Sequence, residues 1–235
     1  INVPINDHAM ALDSVQVALG SGCVITDVNV RITNVTHTWD SDLSFYLRKG
    51  TVGAKIINKV GGSGDNFVNT VLNDSATTPI ASGTAPFTGN FQPSAPLAPF
   101  NFGAGLGDGY WKLAITDTAT GDTGVLTGWC LIISYSCPVG GIQTIEIPNF
   151  YSLSQNYPNP FNPSTSIKFT MPKGDNVKLV VFDILGREVK TLVNEFKNSG
   201  SYEVNFDAST LSSGVYFYRL EAGEFTDTKR MLLVK

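Results

Sequence analysis

The residues of this 235-residue chain that could support acid–base chemistry are few and form no recognisable catalytic set. The only histidines are His8 and His37. A Ser-His-Asp triad needs a histidine poised beside a nucleophile, yet the sequence has no nucleophile elbow and no phosphate-binding glycine loop followed by Lys and Ser or Thr. His37 ends a predicted strand, where a structural role is expected. We therefore predict no catalytic residues, no organic cofactor and no enzymatic activity.

Aspartates in predicted loops are a second group of residues that could carry chemistry, because they could bind a metal ion. Residues 1–140 contain ten Asp and no Glu. Calcium prefers six to eight oxygen ligands from carboxylates and loop carbonyls, so a structural calcium ion is one interpretation. The alternative is that these side chains cap turns without an ion, and no EF-hand spacing decides between the two. The candidate calcium ligands are Asp40, Asp42, Asp65, Asp108 and Asp117.

The composition favours a β-rich protein with a surface poor in charge. Charged residues make up only 15% of the chain, against about 25% in an average soluble domain. The formal net charge of −4 argues against a nucleic-acid partner, and no apolar run approaches the roughly 18 residues that a membrane span needs. The chain begins at Ile1 without Met, as expected once an export signal has been removed.

Short strands separated by turn signals dominate residues 1–140. Strands are predicted over residues 24–35, 43–47, 111–115 and 126–135, with a turn at Lys49 and Gly50. No window favours a helix. In the first of these strands one face is predicted to carry Val24, Thr26, Val28, Val30 and Ile32. Many short strands of this kind indicate a β sandwich or jelly roll.

The second half is also predicted to be β, with a change of composition near residues 138–141. Its alternating stretches are residues 166–171, 177–183, 203–207, 215–220 and 229–234. This spacing suits a seven-strand Ig-like sandwich. We predict an all-β chain with a jelly-roll domain at 1–140, an extended linker at 141–152 and an Ig-like domain at 153–235. The isoleucines of the linker could also pair with a neighbouring sheet.

Three blocks in the second half carry a family resemblance: residues 157–163, which read Tyr-Pro-Asn-Pro-Phe-Asn-Pro, then 214–220, then 229–235. In this order they resemble the type A C-terminal sorting domain of proteins exported by the type IX secretion system of Bacteroidetes-like bacteria. The resemblance implies a cell-surface or extracellular protein that contacts the type IX export machinery. The sorting-motif residues are Asn159, Pro160, Phe161, Asn162, Pro163, Gly214, Tyr216, Lys229 and Lys235.

A second set of blocks spans roughly residues 3–136. It includes residues 37–43 (His-Thr-Trp-Asp-Ser-Asp-Leu), 64–67, 86–89, 109–113 and 124–129. In this order the blocks look like the P domain, or Homo B domain, that follows the catalytic domain of subtilisin-like proprotein convertases. The resemblance implies a β jelly roll that sometimes holds a structural calcium ion. No subtilisin-like domain precedes these blocks, so the convertase role is not expected to carry over.

Export makes a disulfide expected, and three cysteines leave one unpaired. Cys23 starts one predicted strand and Cys137 ends another, so antiparallel neighbours would bring their ends together. We favour Cys23–Cys137, with Cys23–Cys130 as the alternative. Three Asp-Ser/Thr-small tripeptides also resemble the O-glycan acceptor motif of Bacteroidetes-type exported proteins. Their acceptors would be Ser14, Ser75 and Thr118.

Three functions are compatible with this reading. The first is a non-catalytic structural protein that assembles with itself into a filament or surface layer through unpaired edge strands. The second is a carbohydrate- or protein-binding accessory module, although core packing is the more frequent use of aromatics inside strands. The third is a secreted hydrolase- or peptidase-associated protein, which rests only on the occurrence of P domains beside such catalytic domains. The aromatics available to the second are Trp39, Tyr46, Phe87, Tyr110 and Trp111.

Overall fold

The computed structural model describes residues 2–138 and 141–235, and the chain forms two compact units, Ile1–Asn149 and Phe150–Lys235. Within the described residues every regular element is a β-strand except three short 3-10 turns, at Asp40–Asp42, Ile80–Ser82 and Ala98–Phe100. No described helix has the length and apolar character that crossing a membrane requires. The all-β prediction is confirmed.

The first unit is a sandwich of two sheets. One sheet has the order β1-β9-β3-β6-β7, with β10 also paired to β9, and the other has the order β2-β8-β4-β5. All pairs are antiparallel except β6 with β7. The strands are β1 Val3–Ile5, β2 Met10–Val17, β3 Val24–Thr36, β4 Leu43–Lys49, β5 Val52–Asn58, β6 Phe67–Leu72, β7 Phe87–Phe91, β8 Gly109–Asp117, β9 Gly124–Ser136 and β10 Ile142–Pro148.

Aromatic side chains fill the space between these two sheets. Phe67 stacks on Phe87 with ring centroids 4.8 Å apart, and the tilted ring of Phe45 packs against Phe67 at 5.0 Å. Trp111 packs against Phe100, and its indole N–H donates to the carbonyl of Gly107 at 2.8 Å. Because each buried aromatic removes a large apolar area from water, this layer provides the main stabilisation of the unit.

The side-chain alternation of β3 differs from the prediction at its start. Val24 is exposed and Ile25 is buried, whereas Val24 was predicted to share a face with Val28. The pairing of β3 with β9 shifts register between Ile25 and Asp27. A bulge adds one residue and moves the side chains before it to the opposite face. The prediction assumed strict alternation of side chains along residues 24–35, and this assumption cannot reveal a bulge. The predicted position of Val24 was therefore wrong.

The division between the units also lies later than the predicted boundary. Strand β10 pairs with β9 along its whole length, from Ile142 opposite Ser136 to Pro148 opposite Cys130, so this part of the expected linker belongs to the first unit. The reason is that β1 pairs with β9 only at residues 124–126. The rest of that edge of β9 is open to a second partner, which satisfies its backbone groups.

The second unit is a seven-strand sandwich with sheets β11-β12-β15 and β14-β13-β16-β17. Its core includes Phe169, Leu179, Phe206, Tyr218 and Leu220, all essentially inaccessible to solvent. The strands are β11 Ser152–Leu153, β12 Ser164–Met171, β13 Asp175–Phe182, β14 Glu188–Lys197, β15 Gly200–Asp207, β16 Gly214–Ala222 and β17 Phe225–Leu233.

The cysteines are arranged as the favoured pairing requires. Cys23 and Cys137 form a disulfide across 114 residues of sequence, joining the segment before β3 to the segment after β9. Cys130 is free and buried, and its burial raises the pKa of the thiol to about 11. The alternative pairing of Cys23 with Cys130 is excluded in this structure, because Cys130 lies within β9 opposite Arg31 of β3.

Candidate functional site

His37 is buried and both of its ring nitrogens are used inside the fold. Its Nε2 lies 3.3 Å from a carboxylate oxygen of Asp117, and its Nδ1 lies 3.2 Å from the backbone N–H of Trp39. Nδ1 also lies 3.0 Å from the carbonyl oxygen of Trp39, so groups of the fold hold the ring on both sides, and the donor and acceptor roles of its nitrogens depend on the tautomer. With 2% of its surface accessible, His37 cannot reach a substrate as a base.

Asp40 lies in the 3-10 turn that follows this histidine and is completely buried. One carboxylate oxygen accepts the backbone N–H of Asn66 at 3.0 Å, whereas the other has no hydrogen-bond partner among the described residues. Burial is the largest influence and raises the pKa of Asp40 to about 7. The Asn66 bond and the nearby His37 lower it, and the charge of Asp65 raises it.

The loop that covers Asp40 depends on a glycine. Gly61 has a φ of +95°, and a Cβ there would lie 2.8 Å from the ring of Phe87 and 3.0 Å from the Cβ of Asp40. Only glycine combines this conformation with this closeness at no steric cost. The loop at residues 61–64 packs closely on Asp40, whose backbone N–H donates to the carbonyl of Gly64 at 3.0 Å, and so helps to exclude solvent from it.

The five predicted calcium ligands are only partly brought together. Asp117, at the end of β8, contacts His37, and Asp40 lies near the charges of His37 and Asp65, whereas Asp108 uses its two carboxylate oxygens to cap the backbone N–H groups of residues 19 and 20. Asp117 likewise accepts the N–H of residue 119. Within the described residues no three Asp, Glu, His or Cys side chains converge as a metal ligand set. Calcium binding stays a prediction.

The three predicted glycan acceptors are all exposed but differ in setting. Ser14 lies within β2. Ser75 lies in a turn, next to an Asp74 carboxylate that caps the N–H groups of residues 97 and 98. Thr118 donates its hydroxyl to the carbonyl of Asp42 at 3.3 Å. Modification of these residues also stays a prediction.

Sequence blocks that are about 70 residues apart meet in the second unit. Phe161 forms a parallel bridge with Leu233: its N–H donates to the carbonyl of Leu232, and its carbonyl accepts the N–H of Val234, both at 3.0 Å. The side chain of Asn159 accepts the N–H of Leu232 at 3.0 Å. We call residues 157–163, 214–216 and 229–235 together the sorting surface.

The remaining motif residues join the same surface. Gly214 pairs with Leu233 and Tyr216 with Met231 across β16 and β17. Lys235 donates its backbone N–H to the hydroxyl of residue 213, and Lys229 forms an ion pair with residue 227 at 3.2 Å. The carbonyl of Pro163 accepts the N–H of residue 208, while Asn162 is exposed beside it. A depression of about 330 Å³ is lined by Asn159, Pro160, Val215, Arg230 and Leu232.

Tyr218 supports the sorting surface from below. Its buried hydroxyl donates to the carbonyl of Ser154 at 2.7 Å and accepts the N–H of Asn156 at 2.8 Å. The side-chain amide of Asn156 then donates to the carbonyl of Pro158 at 3.0 Å and to the hydroxyl of Thr165 at 2.9 Å. The turn that leads into the first motif block is therefore fixed by one phenol.

The outward face of the β2-β8-β4-β5 sheet is a second candidate surface, which we call the open face. Leu12 lies opposite Ala114, and Ala114 lies opposite Tyr46. Because Ala114 is small, the three positions form a depression of about 400 Å³ with Leu12 and Tyr46 as walls. Its outward positions are Met10, Leu12, Ser14, Gln16, Tyr110, Lys112, Ala114, Thr116, Ser44, Tyr46, Arg48, Gly53, Lys55 and Asn58.

The aromatics proposed for binding divide between this face and the core. Phe87 and Trp111 are completely buried, whereas Tyr110 on the open face is 59% exposed. Tyr46 is half-buried, and Trp39 is exposed in the loop beside Asp40. Sequence reasoning missed Met10 and Leu12, which are exposed apolar residues on β2. Alternation along residues 10–17 was the signal that could have found them.

The comparison with protein families confirms the sorting domain that the sequence predicts for the second unit. Residues 155–235 match the family model of the secretion system C-terminal sorting domain. This domain marks proteins that type IX secretion exports to the cell surface or the extracellular space in Bacteroidetes, and the chain is an exported protein of this kind. None of the curated proteins compared with the chain matches it.

Solved structures resemble the chain only loosely. PorZ, a surface component of the type IX secretion system of Porphyromonas gingivalis, is 17% identical with a TM-score of 0.29, covering 45% of this chain and 15% of PorZ. Domains 3 and 4 of rat CD4 are 12% identical with a TM-score of 0.26, covering 97% of this chain and 96% of that one. The chain thus spans a small part of PorZ, and similarities this weak carry no argument about function.

Proposed function

We propose that this chain is a non-catalytic binding protein that works outside the cell. In this proposal the second unit directs export through contacts of the sorting surface with the type IX machinery, and the first unit binds extracellular material. The observation that carries the proposal is the open face, where apolar and aromatic side chains stay accessible on a sheet whose other face is fully packed. Exposed apolar patches of this kind mark interaction sites.

Two further features support a binding role over a catalytic one. The buried His37 has no access to substrate, and its nitrogens contact Asp117 and the backbone of Trp39. The block order that resembles a P domain also supports this proposal, because in that family the domain accompanies a catalytic domain and does not itself supply the reactive groups.

The test is attachment to the extracellular matrix of the bacterium that makes the protein. Leu12→Asp places a charge on the open face and is expected to reduce retention of the full chain on washed matrix. Leu106→Asp is the matched control, because Leu106 is similarly exposed in the first unit but lies in the loop before β8, outside the open face. Equal retention of both variants and the wild type would show that the open face is not the binding surface.

Self-assembly into a filament is a second candidate, favoured by a different observation. The tip of the β13–β14 hairpin exposes two adjacent aliphatic residues, Ile184 and Leu185, each more than 70% accessible. An apolar tip that fits a pocket on another copy makes a head-to-tail contact, which grows into a filament if it does not close a ring. Light scattering and negative-stain images of the purified full chain test this, and dispersed monomers at all concentrations would contradict it.

A further inference from the structure

The charge of the open face is opposite to that of the whole protein. Three of its outward side chains are basic, namely Arg48, Lys55 and Lys112. None of the outward positions on β2, β4, β5 and β8, all of which the structure describes, is acidic. The chain as a whole has a formal net charge of −4. A basic face on an acidic protein is complementary to a negatively charged ligand.

Two of these cations stand directly opposite each other. Arg48 pairs with Lys112 across β4 and β8, and like charges at directly opposed positions destabilise a sheet. No hydrogen bond or ion pair engages either side chain within the described part of the chain, whereas Lys55 lies 5.3 Å from the ring of Tyr46 and donates to Asn58 at 3.2 Å. An anionic group placed between Arg48 and Lys112 would remove this repulsion.

Apolar and aromatic positions lie on both sides of the cation pair. Leu12 and Tyr46 form the row before it, and Tyr110 lies in the row after it. Successive outward rows are about 7 Å apart, because a strand rises about 3.4 Å per residue. The face therefore offers an apolar wall, then two cations, then an aromatic ring, along about 14 Å in one direction.

The open face suits a polymer that contacts the side chains of the protein and not its backbone. Strands β8 and β4 are interior strands of the sheet, paired on both sides, so their backbone groups are not free. A peptide usually docks on a sheet by adding a strand at its edge, which the middle of this face does not allow. A sugar chain, in contrast, stacks its rings on aromatic side chains and places its charged groups against cations.

We propose that the open face binds a polysaccharide that carries carboxylate groups, such as one built from uronic acids. This rests on the proposed function, in which the open face is the binding surface. The carboxylates lie between Arg48 and Lys112, and the sugar rings pack on Tyr110 and against the wall formed by Leu12 and Tyr46. Binding weakens as the salt concentration rises, because the cations are exposed.

The experiment compares binding of polygalacturonate, a uronic-acid polymer, with binding of neutral dextran and of poly-glutamate to the full chain. The double variant Arg48→Gln/Lys112→Gln is expected to bind polygalacturonate at least about tenfold more weakly than the wild type. Lys173→Gln/Lys178→Gln removes the same charge from exposed positions of the second unit and is expected to change binding less than about twofold. Far-ultraviolet circular dichroism during unfolding checks that both units of each variant are folded, because the three tryptophans lie only in the first unit.

Several outcomes would overturn the inference. Equal weakening by both double variants indicates general attraction by net charge, and equal binding of dextran indicates a neutral sugar site. Tighter binding of poly-glutamate than of polygalacturonate indicates an acidic protein as the partner. If polygalacturonate does not bind while Leu12→Asp still abolishes attachment to matrix, the open face is the binding surface but the ligand class is wrong. If neither effect is seen, the proposed function fails as well.

Discussion

Replacing the buried Asp40 by Asn should change how the stability of the first unit depends on pH. The pKa of Asp40 is raised from 3.8 to about 7, chiefly by burial, so the folded state holds this proton more tightly than the unfolded state does. Ionisation of Asp40 therefore lowers the free energy of unfolding. This loss is absent below about pH 4, grows between about pH 4 and 7, and is complete above that range. One pKa unit corresponds to about 1.4 kcal/mol, so the complete loss is about 4 kcal/mol.

The assay is urea unfolding followed by tryptophan fluorescence at pH 5 and pH 8 with the disulfide intact. All three tryptophans lie in residues 1–149, so this signal reports the first unit alone. Asn keeps the oxygen that accepts from Asn66 and cannot ionise. The gain in free energy of unfolding from Asp40→Asn should therefore be larger at pH 8 than at pH 5, by about 2–3 kcal/mol.

Asp65→Asn is the matched control for this experiment. Asp65 is exposed, and its charge makes the last of the four contributions to the pKa of Asp40. We expect Asp65→Asn to change the pH dependence much less than Asp40→Asn does. If the stability difference between wild type and Asp40→Asn is the same at both pH values, Asp40 does not titrate in this range and the reasoning from its burial is wrong.

Three further predictions concern the disulfide, the support of the sorting surface and calcium. Replacing Cys23 and Cys137 by Ser should lower the free energy of unfolding of the first unit by about 4–5 kcal/mol in the chain-entropy model, measured by urea unfolding. An unchanged free energy of unfolding would contradict the idea that the disulfide restricts the unfolded chain. Tyr218→Phe should destabilise the second unit by about 2 kcal/mol and more than Tyr216→Phe does, because it removes the partner of the buried Asn156 N–H and of the Ser154 carbonyl; hydrogen exchange measures this, and equal protection in both variants would contradict it. If the predicted calcium site forms, adding calcium should raise the unfolding temperature and Asp40→Asn should abolish the rise, whereas an unchanged unfolding temperature would contradict the site.

Much of the fold could be predicted from local patterns. The alternation of residues 126–135 predicts one face with Trp129, Leu131, Ile133 and Tyr135; the first three are buried and Tyr135 is half-buried. Strand ends also located the disulfide, because Cys23 and Cys137 flank β3 and β9, which are antiparallel neighbours. These features depend on side chains close in sequence or on one pairing of adjacent strands, so periodicity is enough to find them.

The parts that could not be predicted depend on which strand lies beside which. The edge of β9 that accepts β10 is open because β1 is short. The isoleucines of residues 142–148 indicated that this segment could pair with a sheet, but not which strand it would join. The cation pair of the open face likewise requires the register of β4 against β8, which sets Arg48 opposite Lys112. The burial of Asp40 requires a distant glycine loop at residues 61–64. Each of these depends on long-range pairing, which local periodicity does not encode.

Because β17 holds Phe161 in place, the sorting surface cannot form until residues 225–234 have been synthesised. An interrupted product would display its first motif block without the strand that fixes it, and the depression beside Arg230 would be missing. If the sorting surface is what the export machinery contacts, as proposed above, chains truncated before β17 should not be exported.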